Sequence, residues 1–295
     1  MKNITIFAMT EKGFAVVKSI YNAFPNIIKT VISARDINIE NDFYTEIMSF
    51  CKKNSIDFYD RFDAYEITTK YTLAISWRWI INNNLSRLIV FHDSLLPKYR
   101  GFNPLVTALI NGDKTIGVTA LYATDEYDKG NIIFQAKSNI CYPIQIQTAI
   151  TIIIENYKEL AVKMADCISN NIEIASLPQC ENDASYSLWR DEEDYFIDWN
   201  KSSDCIKKIV DALGSPYKGA CSSIDGAVVR IFNATVLDDI DICNRTSGKV
   251  VFIQDSKPVI VCGEGLLRLD EIIDADGNVI KSLNRFRTRF KNAYV

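Results

Sequence analysis

Residues 87–101 read RLIVFHDSLLPKYRG. The run from Arg87 to Phe91 is apolar and rich in branched side chains, which is typical of a strand buried on both faces in a parallel sheet. It leads directly into His92, and polar, proline-containing sequence follows. Ligands of open α/β sheets bind beyond the carboxyl ends of the strands. We therefore expect the functional residues to begin at His92.

Comparable apolar runs alternate with helical patterns through the first half of the chain, as in a parallel sheet flanked by helices. The predicted strands before residue 87 are 4–9, 27–33, 56–59 and 73–77. The predicted helices are 14–24, 43–53, 104–111 and 147–169, and a strand pair, 119–122 and 132–136, surrounds an irregular loop. The edge at which the strands end should then contain residues 10–13, 76–78 and 92–101.

Periodicity is lost over residues 177–194, where Pro, Asn and Asp accumulate. One helix, 202–213, and short strands separated by turn sequences such as Asp225-Gly226 and Ser247-Gly248 follow it. We predict a doubly wound, mostly parallel α/β domain over residues 1–176 and a linker over 177–194. A smaller, β-barrel-like domain is predicted over 195–295.

Composition is that of an ordinary globular protein, with 48% apolar and 24% charged residues. The net charge of −4 gives the whole chain no attraction to nucleic acid. With one histidine and eight cysteines that show no CxxC spacing, we interpret the cysteines as buried free thiols and expect no metal site. Residues 1–9 are too short and too β-branched for a signal peptide, and no segment reaches the ~18 apolar residues of a membrane span. We expect a cytoplasmic protein.

The motif residues recur in a fixed order along the chain. His-x-Ser-Leu-Leu-Pro-x-x-Arg-Gly over 92–101 is followed by Gly-Val-Thr over 117–119 and Asp-x-Gly over 128–130. This pattern resembles the folate-dependent formyltransferase family, which includes methionyl-tRNA and sugar-nucleotide formyltransferases. Segments 197–199 and 265–269 resemble the start of the C-terminal domain and the closing strand of that family. The resemblance implies a catalytic N-terminal domain, a small C-terminal barrel and N10-formyltetrahydrofolate as the formyl donor.

Formyl transfer to an amine passes through a tetrahedral oxyanion and removes a proton from the nitrogen. Histidine titrates near neutral pH, and a neighbouring carboxylate would orient it and stabilise its charged form. The resemblance assigns these catalytic roles to His92 and Asp128. It further implies folate-binding residues, namely Ser76, Trp77, Trp79, Ile80, Leu95, Leu96, Tyr127 and Asp128. The substrate-binding residues expected by the same analogy are Thr10, Lys12, Arg78, Arg100 and Asn103, although Arg100, like Ser94, Pro97 and Gly101, is also explained by a role in shaping the loop.

One position departs from the family. Members usually carry Asn-x-His, where the asparagine helps to hold the oxyanion, whereas this chain has Val90-Phe91-His92. Loss of one oxyanion donor commonly lowers turnover by roughly 100-fold to 1,000-fold. Three explanations remain open: another donor such as Asn103 or the run 82–84 replaces it, the chemistry has diverged, or the chain binds folate or a sugar nucleotide without turnover.

The net charge of the C-terminal part indicates which kind of amine the protein formylates. From Arg190 onward there are 15 Lys or Arg and 17 Asp or Glu, a net charge of −2, whereas a tRNA-binding domain should be basic. The sequence Trp189-Arg190-x-x-x-Asp194-Tyr195 is more similar to sugar formyltransferases. We therefore expect a nucleotide-linked amino sugar of surface glycan assembly as the acceptor, with methionyl-tRNA as the alternative. Such relatives are often homodimers, which the resemblance makes an expectation here.

Overall fold

A computed structural model describes residues 4–36, 41–81, 87–283 and 285–292. The chain forms two compact units. The first takes in Met1–Pro104, Thr115–Asn139 and Ile150–Ser187, and the second takes in Leu105–Lys114, Ile140–Ala149 and Leu188–Val295. Two short segments from within the predicted N-terminal domain, 105–114 and 140–149, thus group with the second unit.

The elements up to Ser187 include nine strands. They are β1 (Ile4–Ala8), β2 (Ile28–Ser33), β3 (Asp57–Asp60), β4 (Tyr71–Ile75), β5 (Arg87–His92), β6 (Arg100–Gly101), β7 (Thr115–Tyr122), β8 (Ile132–Asn139) and β9 (Tyr186–Ser187). Four helices accompany them: α1 (Thr10–Ala23), α2 (Tyr44–Lys53), α3 (Pro104–Asn111) and α4 (Ile146–Ser169). Each strand and helix predicted in this part of the chain is present, with ends shifted by a few residues.

Seven strands form one sheet in the order β3-β2-β1-β4-β5-β7-β8. The pairs from β3 to β5 are parallel, and those of β5 with β7 and β7 with β8 are antiparallel. The chain runs outward from β1 to β3 and then returns to β4, so its direction of travel reverses between β1 and β4. The predicted doubly wound, mostly parallel fold is confirmed, and this reversal is where such folds bind ligands.

Strand register sets which residues meet at that edge. Ala8 pairs with Ile75, and Ile75 pairs with Phe91, so the carboxyl ends of β1, β4 and β5 lie in one row. The next residues, Met9, Ser76 and His92, therefore lie side by side at this edge, where His92 is the last residue of β5. Strand β4 ends at Ile75 rather than at Trp77 as predicted, because Ser76 adopts a left-handed backbone with φ of 53°.

Helix packing follows from the sequence periodicity. Helix α1 buries Gly13, Val16, Val17 and Ile20, which share one face at helical spacing, against the sheet. Helix α4 buries a longer apolar stripe that comprises Ile153, Tyr157, Leu160, Ala161, Met164 and Ala165. All five residues of β1 and of β4 are buried, and apart from Thr5 and Thr72 they are hydrophobic. The most deeply buried strands, β1 and β4, are thus among those whose carboxyl ends lead into the predicted site.

The second unit contains α5 (Ser203–Leu213) and six further strands. They are β10 (Ala220–Ile224), β11 (Ala227–Leu237), β12 (Val250–Gln254), β13 (Lys257–Val261), β14 (Leu266–Ile273) and β15 (Phe290–Lys291). The six strands form an antiparallel sheet in the order β12-β13-β14-β11-β10-β15. Helix α5 begins at Ser202, whose hydroxyl accepts the Cys205 N–H at 3.3 Å and so satisfies one free amide of the first turn.

The two edges of this sheet meet. The Val250 N–H donates to the Thr288 carbonyl oxygen at 3.1 Å, and the Phe290 N–H donates to that of Gly248 at 2.7 Å. An antiparallel bridge between Lys249 and Arg289 lies between these bonds. Register irregularities in β11 near Asn233 accompany the curvature that brings the edges together. The predicted β-barrel-like C-terminal domain is confirmed as a curled antiparallel sheet.

All eight cysteines are free, as predicted, but only Cys51, Cys221 and Cys262 are buried. The prediction that all are buried is wrong for the exposed thiols Cys141, Cys180, Cys205 and Cys243. Most of these lie in polar loop or helix-surface positions, where the small side chain needs no apolar partner. Among the described residues, no helix combines the length and the hydropathy that crossing a bilayer requires.

The core of the second unit generates a stability prediction. Trp199 is 1% exposed, its indole N–H donates to Ser222 Oγ at 3.0 Å, and its ring packs edge-on against Phe290 at 5.7 Å. We expect Trp199→Ala to lower the free energy of unfolding by about 3–5 kcal/mol in urea denaturation, because it leaves a large cavity and removes the hydrogen bond to Ser222. The matched change Trp189→Ala, at a side chain that is 62% exposed, should cost no more than about 0.5 kcal/mol. Equal losses in the two variants would refute this account of the core.

Candidate active site

The loop after β5 is fixed by its own polar groups. Ser94 Oγ donates to the Lys98 carbonyl oxygen at 2.7 Å. The Thr119 hydroxyl donates to the Ser94 carbonyl oxygen at 2.6 Å, and it accepts the Leu96 N–H at 3.1 Å. Ser94 and Leu96 are each only 4% exposed, while Leu95 is half-buried. These motif residues hold the loop against β7, and Leu96 lies in the core.

This loop brings together the two predicted catalytic residues. Nδ1 of His92 lies 3.5 Å from Oδ1 of Asp128, and the two side chains are only 9% and 15% exposed. The second carboxylate oxygen, Oδ2, accepts the Gly101 N–H at 2.8 Å. One carboxylate therefore contacts both the histidine that opens the motif and the glycine that closes it.

Hydrogen bonding also fixes the tautomer of His92. Nε2 lies 2.8 Å from the Tyr99 carbonyl oxygen. A carbonyl oxygen only accepts, so Nε2 carries a proton, and in the neutral ring the lone pair of Nδ1 faces Asp128. A proton that arrives at Nδ1 creates an N–H that the carboxylate can accept. The geometry suits His92 to take up a proton at Nδ1 and Asp128 to stabilise the resulting charge.

Asp128 occupies a backbone conformation that other parts of the chain must support. Its φ of 56° lies in the left-handed region, which costs a residue with a side chain about 1–2 kcal/mol. Gln179 donates from Nε2 to the carbonyl oxygens of Asp128 at 2.6 Å and Gly130 at 2.8 Å. A Cβ on Gly130 would lie 1.7 Å from the Tyr122 carbonyl oxygen. The Asp-x-Gly spacing thus reflects a close approach of two backbone segments.

Arg100 is fully buried and bound to protein groups. Its Nε and Nη2 donate to Gln179 Oε1 at 3.0 and 2.8 Å. Nη1 and Nη2 donate to the two carboxylate oxygens of Glu181 at 2.9 and 2.8 Å, and Nη1 also donates to the Tyr186 hydroxyl at 3.2 Å. The guanidinium therefore anchors the segment around residue 180 beneath the motif loop. This arrangement favours the loop-shaping role of Arg100.

The predicted folate-binding segment after β4 presents aromatic surface. The Trp77 ring packs edge-on between Phe7 at 4.9 Å and Trp79 at 5.0 Å. Its indole N–H is buried, and no acceptor for it exists among the described residues. Trp79 is 39% exposed and Ile80 is 85% exposed. The segment combines an available donor with apolar surface.

The remaining predicted binding residues are dispersed around the edge of the sheet. Arg78 pairs with the buried Asp36 at 2.5 Å while half of its side chain stays exposed. Thr10 begins α1, and its buried Oγ1 has no partner among the described residues. Lys12 forms an ion pair with Asp93. Asn103 is half-buried and has a left-handed backbone with φ of 49°.

An exposed aromatic pair borders the predicted catalytic pair. Tyr127 precedes Asp128 and is 74% exposed, and Phe102 follows Gly101 and is 54% exposed. Their ring centroids lie 6.4 Å apart. Tyr127 adjoins Asp128 in the chain, and Phe102 adjoins Gly101, whose N–H donates to the Asp128 carboxylate.

Val90 lies two residues before His92 on β5, so the two side chains point to the same face of the sheet. Its register partners are Ala74 on β4 and Leu121 on β7, and none of these side chains donates a hydrogen bond. The alternative donors at 82–84 lie outside the described residues. Asn103 remains a predicted replacement.

Several residues of the site were not singled out from the sequence. Gln179 and Glu181 fall in the stretch assigned to a linker, where no periodicity marks them. Tyr157 belongs to the apolar stripe of α4 and looks like an ordinary core residue, yet its hydroxyl donates to Asp93 Oδ1 at 2.5 Å. Position alone gave a hint for Asp93, which directly follows His92.

Comparison with known proteins extends these findings over both units. The family model described as formyl transferase matches residues 23–156. The model described as formyl transferase, C-terminal domain, matches residues 190–289. The two matches occur in the expected order, and together they take in most of the chain.

Among curated proteins, methionyl-tRNA formyltransferase of Thermotoga neapolitana is 32% identical over 178 residues, which are 60% of this chain and 55% of that protein. The match therefore spans little more than half of the relative's length. Among solved structures, the N-formyltransferase from Helicobacter canadensis in complex with folinic acid and dTDP-3-aminofucose has a TM-score of 0.69 at 18% identity, covering 91% of this chain and 99% of that one. HypX from Aquifex aeolicus in complex with tetrahydrofolic acid has a TM-score of 0.62 at 17% identity, covering 94% and 45%. At these identities the two structures show a shared fold.

The close approach at Gly130 predicts a specific loss of stability. We expect Gly130→Ala to lower the free energy of unfolding by about 1–3 kcal/mol, because the added methyl group collides with the backbone of Tyr122, which is fixed in strand β7. Gly214→Ala is the matched control, since its new Cβ would have only ordinary contacts at 3.5 Å and beyond. Denaturant titration of both variants checks this, and a Gly130→Ala protein as stable as the control would disprove the packing argument.

Proposed function

Because the chain belongs to the formyl transferase family, we propose that it transfers a formyl group from N10-formyltetrahydrofolate to the nitrogen of a primary amine. The two family matches support this for both units. The observation that carries the proposal is the contact between His92 Nδ1 and Asp128 Oδ1 at the carboxyl edge of the parallel sheet. A buried imidazole with one nitrogen fixed as a donor and the other facing a carboxylate is built to receive a proton.

The proposed reaction forms one bond and breaks one. The amine nitrogen bonds to the formyl carbon, the bond from that carbon to N10 breaks, and the amine proton ends on the released N10. In this sequence Nδ1 of His92 takes the amine proton, Asp128 stabilises the imidazolium, and the proton is then returned to the leaving nitrogen. The Tyr99 carbonyl oxygen keeps the ring oriented throughout by accepting from Nε2.

The residues present fit a reduced folate. Its pterin ring offers a flat surface and several hydrogen-bond acceptors, and its N10 would supply the activated formyl group. Trp77 contributes a buried indole N–H that has no protein acceptor among the described residues, and Trp79 and Ile80 contribute exposed apolar surface. We propose that these side chains, with Ser76, Leu95 and Tyr127, contact the folate.

We propose a nucleotide-linked amino sugar as the acceptor. The net charge of −2 from Arg190 onward disfavours a polyanionic tRNA. The structural neighbour from Helicobacter canadensis, whose fold this chain shares, was solved with a dTDP-linked amino sugar. The Arg78 side chain is half exposed, and the planar fork of its guanidinium suits phosphate oxygens. A role in surface glycan assembly, a cytoplasmic location and a homodimer belong to the same proposal.

Methionyl-tRNA is the second candidate acceptor, since the Thermotoga neapolitana relative carries that name. Its support lies in the part of the chain that aligns, and 60% of this chain takes part in the alignment. A third possibility, folate binding without turnover, is motivated by Val90. The three differ in what they predict for one assay.

The test supplies N10-formyltetrahydrofolate with either a panel of nucleotide-linked amino sugars or methionyl-tRNA, and measures tetrahydrofolate release. We expect release with a sugar and none with the tRNA. His92→Asn should lower the turnover number by about 100-fold to 10,000-fold, because general-base catalysis contributes that much, with the folded state confirmed by circular dichroism. Salt-sensitive binding and formylation of the tRNA would select the second candidate. Tight folate binding without any release of tetrahydrofolate would select the third.

Val90 gives a separate prediction. An asparagine at this position shares a sheet face with His92 and can donate to the developing oxyanion, so Val90→Asn should raise the turnover number at least about 10-fold. Val90→Leu, which adds bulk but no donor, should not raise it. An unchanged rate in a folded Val90→Asn protein would mean that another group already fills this role.

A further inference from the structure

A second carboxylate lies beside His92. Asp93 directly follows it, at the point where the chain leaves β5. The Lys12 ammonium, from the first turn of α1, forms an ion pair with Asp93 Oδ2. The Tyr157 hydroxyl, from α4, donates to the other oxygen, Oδ1, at 2.5 Å. Side chains from α1, α4 and the end of β5 thus meet at this carboxylate.

The network is mostly shielded from water. The side chains of Lys12 and Asp93 are 14% and 20% exposed, and Tyr157 is 1% exposed. Tyr157 also stacks on Phe91 at 5.7 Å, and Lys12 Nζ lies 5.8 Å from the Tyr157 ring centroid. Charges in such surroundings interact more strongly than in bulk water. The charges of this ion pair therefore affect the electrostatic potential at neighbouring groups.

The protonation states in the network follow from these contacts. Burial, the largest influence, acts to raise the pKa of Asp93, but the Lys12 ammonium, the hydrogen bonds from Lys12 and Tyr157 and the His92 imidazole together hold that pKa below its usual value. Burial, followed by the charge of Asp93, raises the pKa of Tyr157 well above its usual value. Asp93 is therefore an anion at neutral pH, and Tyr157 is a neutral donor.

We propose that Asp93 is a positioning residue for His92: held in place by Lys12 and Tyr157, its carboxylate acts with Asp128 to stabilise the protonated imidazole. The inference rests on the proposed function for its catalytic meaning. The two carboxylates have different tasks. Asp128 contacts Nδ1 directly, whereas Asp93 acts through the field and through its link to the backbone of His92.

The charges around His92 determine the sign of each substitution. The ionisable groups that the described contacts link to this region are Asp93 just after β5, Asp128 in the loop before β8, Lys12 on α1 and Tyr157 on α4. Removing the negative charge of Asp93 takes one negative charge away from the surroundings of His92 while the Lys12 ammonium stays, and this disfavours imidazolium. Removing the positive charge of Lys12 exposes His92 to the full charge of Asp93 and favours imidazolium. The two substitutions act on one ion pair but in opposite directions.

The chain contains one histidine, so its imidazole resonance needs no assignment once any polyhistidine tag is removed. We would follow the imidazole Cε1 proton by NMR across pH for the wild type, Asp93→Asn, Lys12→Met and Tyr157→Phe. We expect the titration midpoint to move down by at least about 0.5 pH unit in Asp93→Asn and up by a similar amount in Lys12→Met. Tyr157→Phe, which removes a hydrogen bond but no charge, is the matched control and should move the midpoint least.

Shifts in the same direction for Asp93→Asn and Lys12→Met, or midpoints equal to that of the wild type, would overturn the proposal. If one variant fails to fold, the other still decides the sign against the wild type. The pH profile of turnover should shift with the NMR midpoint while the KM for folate stays within about 2-fold, since neither side chain is assigned to the pterin. The titration requires no catalysis. If the midpoint moves down in Asp93→Asn and up in Lys12→Met but the protein releases no tetrahydrofolate, the proposed function is disproved and the coupling between Asp93 and His92 still holds.

Discussion

The carboxylate of Asp128 is the point on which the geometry of the site depends. One oxygen faces His92 Nδ1 and the other accepts the Gly101 N–H, so the group fixes the distance between a strand end and the loop that returns to it. Reaching this position requires a left-handed backbone at Asp128. That conformation is unfavourable by itself, and the two hydrogen bonds from Gln179 offset it. Arg100 in turn holds Gln179 and Glu181. The contact between His92 and Asp128 therefore depends on a polar network built around the buried Arg100.

Much of the fold could be predicted because it follows from local periodicity. Buried strands and amphipathic helices have patterns that one sequence displays, and the position of His92 at a strand end followed from the apolar run before it. The pairing of His92 with Asp128 came from the family resemblance, since nothing in the spacing of the two residues shows that they meet. The fold and the contact between His92 and Asp128 could thus be predicted from the sequence for different reasons.

The supporting groups could not be predicted, because their roles depend on long-range contacts that leave no periodic signal. Gln179 lies in an irregular stretch, and only the folded chain places its amide beneath Asp128. Tyr157 fits the apolar stripe of α4, so the sequence pattern gave no indication that its hydroxyl forms a hydrogen bond. Lys12 and Arg100, expected at the substrate, are engaged by Asp93 and by Glu181. A charged residue near a strand end satisfies either role, and sequence alone does not distinguish them.

Val90 lies two residues before His92, and Asp93 directly follows it. The two positions affect different stages of the proposed reaction. An oxyanion donor lowers the energy of the tetrahedral species, whereas a carboxylate near the imidazole favours uptake of the proton that the amine must lose. A site that lacks the first contribution gains from strengthening the second, since loss of the proton also drives the tetrahedral species forward. Too strong a base would hold the proton and slow its return to the leaving nitrogen. The Lys12 ammonium partly cancels the charge of Asp93 and so limits that effect. An ion pair at this position therefore favours both uptake and release of the proton, whereas a lone carboxylate would favour only uptake.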